Sequence, residues 1–359
     1  KAWESGLVKP EPPKTRTGKK IAIIGSGPAG LAVAQQLNRA GHEITVYEKN
    51  EHPGGLLRFG IPEFKLEKAI VERRINLLAE EGIIFKCSVN AGIDITAHEL
   101  MEKYDSICLA GGSTVPRDLP IKGRDLEGVH FAMDFLSEQN RWNENPKDRE
   151  ITAKNKNVVI IGGGDTGADC LGTSIRQGAK SITQIEIMPE PPEGRSNDNP
   201  WPEWPMILRT SSAHEEGGDR QYSILTNEFS GTKSLEKLIC EKVEWKKDKS
   251  GKYNMEKVDK SQFEIKSELV LLAMGFVHPL QEGLLSNLDV EFDERGNVKT
   301  DNNMMTNVNK VFSCGDMERG QSLVVHAIAS GRSCAKNIDT FLQGSSNLPD
   351  VRGYYRKIN

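Results

Sequence analysis

Two glycine-rich turns, each set between an apolar run and a helical run, constrain this chain more than anything else in it. The first is Gly25-Ser26-Gly27-Pro28-Ala29-Gly30. Ahead of it, Ile21-Ala22-Ile23-Ile24 is continuously apolar, as a strand buried on both faces is. Behind it, Leu31 to Leu37 has helical spacing, Gly41 closes the helix, and Glu43 to Tyr47 reads as a second strand. The second turn, Gly162-Gly163-Gly164-Asp165-Thr166-Gly167, follows Val158 to Ile161. A helix to Gln177, a stop at Gly178 and a strand from Ser181 to Ile187 come after it. From first glycine to the acid ending the second strand is 23 residues in one copy (Gly25 to Glu48) and 24 in the other (Gly162 to Glu186). One such pattern is a weak signal. Two, each in strand–turn–helix–strand context and each with its acid, predict two dinucleotide sites.

The chemistry follows from the residue types. Gly25 and Gly27 let the backbone bend and approach a pyrophosphate, and Gly30 lets helix and strand pack closely. The helix start at Pro28 and Ala29 presents unpaired N–H groups and a positive dipole end. Glu48, followed by Lys49, is placed to accept hydrogen bonds from ribose hydroxyls. Downstream, Gly54 and Gly55 permit backbone contact with an extended ligand. Leu56 follows, and Arg58 reads either as a contact to pyrophosphate or ring, or as a surface arginine in a tight loop. In the second turn Gly162, Gly164 and Gly167 repeat the phosphate logic. Asp165 and Thr166 read equally as helix caps and as ligand contacts. Glu186 suits a ribose 2′-hydroxyl and Arg195 a 2′-phosphate, so NADH and NADPH both stay open.

Three more apolar runs end in glycine: Asp105 to Gly112, which contains Gly111; Leu269 to Gly275; and Lys310 to Asp316. At the last, Gly315-Asp316 places an acid where a sugar-alcohol chain such as a flavin ribityl would meet it. The plainer alternative is a helix cap at Asp316. Ser322, Leu323 and Val324 then open a helix whose N–H groups can stabilise negative charge on a reduced ring. His214-Glu215-Glu216-Gly217 reads either as a neighbour of a nicotinamide or as a solvated charge run. Trp201-Pro202-Glu203-Trp204-Pro205 reads equally as a docking loop and as a loop packed on its own domain. His326 reads as helix packing.

Composition removes other classes. Lys+Arg is 47 and Asp+Glu 51, a net −4, which lacks the cation excess of a nucleic-acid surface. No apolar run approaches the ~20 residues of a membrane span. The nearest of the six cysteines, Cys314 and Cys334, lie twenty residues apart, so there is no Cys-x-x-Cys. That argues against a redox dithiol, a zinc ribbon, sequence-local iron–sulfur ligands and, more broadly, a metal site. Scattered cysteines fit a cytoplasmic protein. Residues 1–18 are proline-interrupted and read as a linker, with Trp3 either anchoring it or covering local surface. The start at Lys1 reads as the interior of a longer polypeptide.

Taken together these residues resemble the small (beta) subunit of glutamate synthase, over nearly the whole chain from about Trp3 to about Gly344. The resemblance rests on the first turn, Gly54 to Pro62 with Phe64-Lys65-Leu66, and Gly162 to Cys170. It rests further on Glu186-Ile187-Met188-Pro189 with the Pro-Pro and Trp-Pro-Glu-Trp-Pro tract, Leu208-Arg209-Thr210-Ser211-Ser212, and Gly315-Asp316. The tract from Glu186 to Ser212 is its most specific part. It implies an α/β fold of two Rossmann-like dinucleotide-binding domains, with the NAD(P)H domain (126–280) inserted into an FAD domain (19–125 and 281–345) and a tail at 346–359.

The resemblance assigns Gly25, Gly27, Pro28, Ala29, Gly30, Glu48 and Lys49 to the ADP part of FAD. Gly55, Leu56 and Arg58 fall to its middle and the Val89 backbone to adenine. Asp316 falls to the ribityl chain, Ser322, Leu323 and Val324 to the ring, and Gly111 and Gly315 to the FAD site as a whole. Gly162, Gly164, Asp165, Thr166, Gly167, Glu186, Arg195 and Gly275 fall to NADPH or NADH. The implied chemistry is hydride transfer from nicotinamide to flavin, with no side chain acting as acid or base. Electrons then pass toward iron–sulfur centres and a large (alpha) subunit that makes glutamate. The family carries an N-terminal cysteine-rich segment ligating two 4Fe–4S clusters, and this chain has none; Lys1 to Pro13 resembles its end. Two alternatives remain: a ferredoxin–NADP-type or sulfide-linked flavin reductase of the same architecture, and a non-catalytic scaffold stabilised by nucleotides.

Overall fold

Each turn follows the central strand of its own five-stranded parallel sheet, and the second sheet is formed entirely by residues lying between two strands of the first. The computed structural model describes residues 1–147, 149–197, 199–201, 205–248 and 253–351. In chain order the first unit has β1 (Lys20–Ile24), α1 (Pro28–Arg39), β2 (Glu43–Tyr47), the short α2 (Leu56–Phe59), α3 (Lys68–Glu80), β3 (Ile84–Lys86), α4 (Ala97–Lys103) and β4 (Ser106–Leu109). The second unit begins with β5 (Val129–Phe131), α5 (Ala132–Glu144), β6 (Asn157–Ile161), α6 (Asp165–Arg176), β7 (Ser181–Glu186), α7 (Ser212–Glu215) and β8 (Asp219–Tyr222). It continues through β9 (Ile224–Gly231), β10 (Leu235–Lys247), β11 (Tyr253–Lys257), β12 (Phe263–Lys266) and β13 (Leu269–Leu272). The chain then returns to the first unit with α8 (Leu284–Asn287), β14 (Val311–Ser313), α9 (Asp316–Arg319) and α10 (Val324–Gln343).

The first sheet runs β14-β4-β1-β2-β3 and the second β5-β13-β6-β7-β8. Ile21 pairs with Ile44 on one side and Ser106 on the other, so β1 is central. Its apolar run does not alternate because both faces are covered. Ile21 and Ile23 pack with Val33, Leu37, Cys334 and Ile338 of α1 and α10, while Ala22 packs with Leu100, Ile107 and Leu285 on the opposite face. Helix α10 crosses α1 closely: a Cβ on Gly331 would lie 2.3 Å from the Ala29 carbonyl oxygen.

The second sheet is covered differently. Val158, Ile160 and Leu271 pack under Phe135 of α5 and Leu171 of α6. On its other face Val159, Ile161 and Val270 meet Phe229, Leu235 and Leu238 of an antiparallel sheet in which β9, β11 and β12 pair with β10. The glycine spacing predicts the parallel sheet but says nothing of this antiparallel layer. Residues 1–18 lie against the first unit, with the Arg73 guanidinium 4.4 Å from the Trp3 ring centre and Arg16 donating to Asn38 Oδ1 (2.8 Å) and the His42 carbonyl (2.6 Å). Among the described residues no helix is long and apolar enough to cross a membrane.

Candidate functional site

Within each turn the three glycines of the shared pattern (Gly25, Gly27 and Gly30; Gly162, Gly164 and Gly167) have three different surroundings. Gly25 has φ +105°, and a Cβ there would lie 2.6 Å from the Ala110 carbonyl oxygen. Gly162 has φ +123°, and its Cβ would lie 2.3 Å from that of Ala273. The third glycine is packed against the first: a Cβ on Gly30 would lie 2.0 Å from the Gly25 oxygen, and one on Gly167 2.3 Å from the Gly162 oxygen. The middle glycine faces open space, with nothing within 4 Å of a Cβ on Gly27 or on Gly164. Both turns thus have a rigid frame and a gap in front of the helix N-terminus, which fits a phosphate-bearing ligand.

The first turn opens into a cleft of about 1210 Å³ between the two units. Gly25, Gly27, Pro28, Ala29, Glu48 and Lys49 line it, as do Gly55, Leu56 and Val89. Gly111, Asp316, Ser322 and Val324 line it as well. A polar acid at each of two strand ends and an extended apolar wall between them fit a long dinucleotide such as FAD. Four residues that the sequence assigns to FAD are not in the lining. Gly30 and Gly315 are packing positions, the latter because a Cβ there would lie 2.6 Å from that of Ala29. Leu323 is the N-cap of α10, which begins one residue later, at Val324. Arg58 is a correction: it is buried, and its guanidinium is held by Glu72 (2.5 Å) and Glu144 (2.8 Å), so it neither reaches into the cleft nor sits on the surface.

Glu48 is buried and already oriented. One carboxylate oxygen accepts from the Ser26 backbone N–H (3.2 Å) and hydroxyl (2.5 Å), the other from the Asn50 backbone N–H (2.9 Å) and side-chain amide (2.7 Å). The Ser26 hydroxyl in turn accepts from Gly54 N–H at 2.9 Å, which ties the acid to the Gly54–Gly55 loop. Asp316 stands at the first position of α9, after an N-cap of Gly315, so it is not the helix cap. It accepts from the Ser322 hydroxyl at 2.6 Å. Burial pushes its carboxyl above the usual aspartate range, against the lowering effect of the Ser322 bonds.

None of the residues assigned to the nicotinamide nucleotide lines the cleft. Gly163, Gly164 and Asp165 are exposed, and Thr166 half-buried. Gly164 is the N-cap of α6 without a side-chain bond, so Asp165 does not cap the helix; it opens the first turn, where an acid favours the dipole. Glu186 accepts from Gly163 N–H (2.6 Å) and Met188 N–H (3.1 Å). Arg195 is exposed and donates to the Asn199 carbonyl at 2.9 Å. Gly275 is brought to the first unit: Gln321 accepts from Phe276 N–H at 2.9 Å, and Phe276 itself lines the cleft.

Spacing alone does not reveal the role of His214. It is bonded to Gln184 Oε1 at 2.9 Å, and Gln184 donates to the Gly162 carbonyl at 2.7 Å, so the pair props the second turn from behind. Burial lowers the His214 pKa below the usual histidine value. Phe64-Lys65 is a seam between units: Lys65 pairs with Asp169 at 2.5 Å, and Arg176 lies 3.7 Å from the Phe64 ring centre. Cys108, Cys314 and Cys334 are buried together, with the Cys108 sulfur 3.7 and 3.8 Å from the other two. Thiol–thiol hydrogen bonding and burial push the Cys108 thiol well above its usual pKa. Of the Trp-Pro tract, Trp201 is exposed, and residues 202–204 lie outside the described residues.

The family model described as pyridine nucleotide-disulphide oxidoreductase matches residues 19–206 and 224–331. A Mycobacterium tuberculosis protein named glutamate synthase (NADPH) small chain is 52% identical over 97% of this chain and 72% of its own length. A Saccharomyces cerevisiae protein named glutamate synthase (NADH) is 46% identical over 99% of this chain, which corresponds to 17% of that much longer protein. Among solved structures, Mycobacterium tuberculosis FprA in complex with NADPH superposes with a TM-score of 0.70 at 18% identity, covering 93% of this chain and 88% of that one; at that identity the likeness speaks for the fold. The chain belongs to the pyridine nucleotide-disulphide oxidoreductase family and, within it, to the glutamate synthase small chains.

Proposed function

We propose that this chain takes hydride from NAD(P)H at the second turn and delivers the electrons through FAD held in the cleft at the first, as the electron-input part of a glutamate synthase. The observation that supports this most is the single cleft running from Glu48 and Gly27 to Asp316 and Ser322. On this reading residues 19–125 and 281–345 form the FAD domain and 126–280 the NAD(P)H domain. FAD supplies the chemistry, since a flavin can accept a hydride and release electrons one at a time.

The protein's part is to bind and align. The α1 N-terminus, with open space in front of Gly27, would hold the pyrophosphate. Glu48 would hold ribose hydroxyls, and Asp316, kept in place by the Ser322 hydroxyl, would accept from the ribityl chain. The Phe276–Gln321 bond draws the Gly275 end of β13 toward α10, where the two rings have to meet. His214 and Gln184 keep the second turn in shape. No side chain has to move a proton in this half-reaction.

The partner in this reading is a glutamate synthase large (alpha) subunit in the cytoplasm. The words "small chain" in the names of relatives support it, and the large subunit would use the electrons to make glutamate. The deciding experiment is the visible spectrum of the purified chain, followed by anaerobic titration with NADPH and, separately, NADH. A flavin spectrum bleached by one of them is expected. A protein that takes up no FAD, or a bound flavin that neither nucleotide reduces, would overturn the reading.

A further inference from the structure

We infer that Arg141, on α5 of the second unit, is a positioning residue for the FAD site of the first unit, acting on Glu48 through Asn50. The inference rests on the FAD reading of the cleft and adds a part to that site from the other unit.

The geometry is a chain of directed hydrogen bonds. The Arg141 guanidinium donates to Asn50 Oδ1 at 3.0 Å and to Glu51 Oε1 at 2.9 Å. With its oxygen so engaged, the Asn50 amide can present only its NH₂ to Glu48, and it does so at 2.7 Å. Glu48 is thereby fixed from both sides, by Ser26 and by Asn50. Arg141 itself has little freedom: its guanidinium carbon lies 4.6 Å from the Phe59 ring centre, a cation–π distance. The residues beside it on α5 grip the same loop. Asn140 donates to the carbonyls of Phe59 (3.0 Å) and Ile61 (3.2 Å), and Glu144 accepts from Arg58.

Exposed ion pairs add little to stability, so the Glu51 contact by itself has small worth. The planar fork is another matter, because it sets the direction of the Asn50 amide. A lysine cannot reproduce it. A carboxylate that must meet two ribose hydroxyls loses affinity when its own support swings free, as ligands do when their outer partners are removed.

The test is FAD binding to flavin-free protein, read by quenching of flavin fluorescence, for wild type, Arg141→Ala, Arg141→Lys, Asn50→Ala and the double Arg141→Ala/Asn50→Ala. Thermal melts of each confirm folding, and Asn50→Ala carries the test alone if the arginine variants do not fold. Arg141→Ala and Asn50→Ala should each weaken FAD roughly tenfold. The double should be no weaker than the worse single, and Arg141→Lys should not restore affinity. Unchanged affinity in the single variants overturns the inference. So does full additivity in the double, which would mean Arg141 touches the ligand directly. Wild-type protein that binds no FAD overturns the FAD reading itself, and this inference with it.

Discussion

The two turns share a backbone and differ in how far the rest of the chain encloses them. Gly25 and Gly162 are strained alike, and Gly30 and Gly167 are packed alike. Yet the first turn faces a cleft of about 1210 Å³ and has a buried acid held by Ser26 and Asn50. The second stands open at Gly163, Gly164 and Asp165. Its acid accepts from Gly163 N–H and Met188 N–H just as Glu48 accepts from Ser26 N–H and Asn50 N–H, but Glu48 has in addition the Ser26 hydroxyl and the Asn50 side-chain amide. A glycine pattern therefore encodes how the chain bends before a phosphate. Whether the ligand stays or exchanges is decided by the walls that other segments build. An enclosed site suits a resident cofactor and an open one a substrate that must leave after each turnover.

The harshest way to break the comparison is to fill the packed glycines. Gly30→Ala sets a Cβ 2.0 Å from the Gly25 oxygen, and Gly167→Ala sets one 2.3 Å from the Gly162 oxygen. Each should cost about 3 kcal/mol by chemical denaturation. Gly30→Ala protein should lose its flavin, whereas Gly167→Ala protein should stay yellow but no longer bleach with NAD(P)H.

The middle glycines sharpen the contrast with less damage. Gly27→Ala and Gly164→Ala enter open space, so melting temperatures should hardly move. Gly27→Ala should weaken FAD roughly tenfold with the KM for NAD(P)H unchanged, and Gly164→Ala the reverse, as an obstructed phosphate contact loses a charge-assisted hydrogen bond. Equal effects of both on one ligand would mean that the turns do not serve separate ligands.

A smaller effect is expected behind the second turn. His214→Ala frees Gln184 and removes about 1 kcal/mol of support, which should appear as a roughly fivefold rise in KM for NAD(P)H with flavin affinity intact. The smallest effect concerns pH. Because burial raises the Asp316 pKa, the folded chain holds that proton more tightly than the unfolded one. The stability this gives is present below the ordinary aspartate value of about 3.9 and is lost as pH rises through the raised folded value. Flavin-free Asp316→Asn should therefore be more stable than wild type at pH 7, with the difference closing below about pH 4, while binding FAD more weakly.

The parts of this molecule readable from sequence are those where neighbours in space are neighbours in the chain. Strand, turn, helix and acid of each unit fall within about thirty residues, Lys20 to Glu48 and Asn157 to Glu186, and the buried parallel strands announce themselves by unbroken apolar runs. Arg58 shows where that stops. Its place after Gly55 suggested a ligand contact, but the direction of its side chain is set by Glu72 and Glu144, which no local pattern reveals. His214 is the same case, with its partner Gln184 thirty residues away on β7. The antiparallel layer is a third. β9 and β10 are partly exposed strands whose burial alternates with interruptions, and the shifts in their register at Leu235/Lys237 and Ile239/Cys240 break the period that would announce them.

The nesting of one sheet inside the other also sets an order of events during synthesis. β4 cannot meet β14 until some two hundred further residues have been made: the Ser106 hydroxyl bonds to the carbonyl of Lys310, 204 positions on. Everything the second sheet needs, from Val129 to Leu272, is contiguous and emerges before β14. The second unit can finish folding while the first still waits for its last strand and for α10, the helix that crosses α1 at the mouth of the cleft. During that wait an incomplete sheet edge at β4 is exposed, and the cleft lacks Asp316 and Ser322. On the FAD reading of the cleft, a nascent chain of this kind should capture its cofactor only once Asp316 and α10 have left the ribosome.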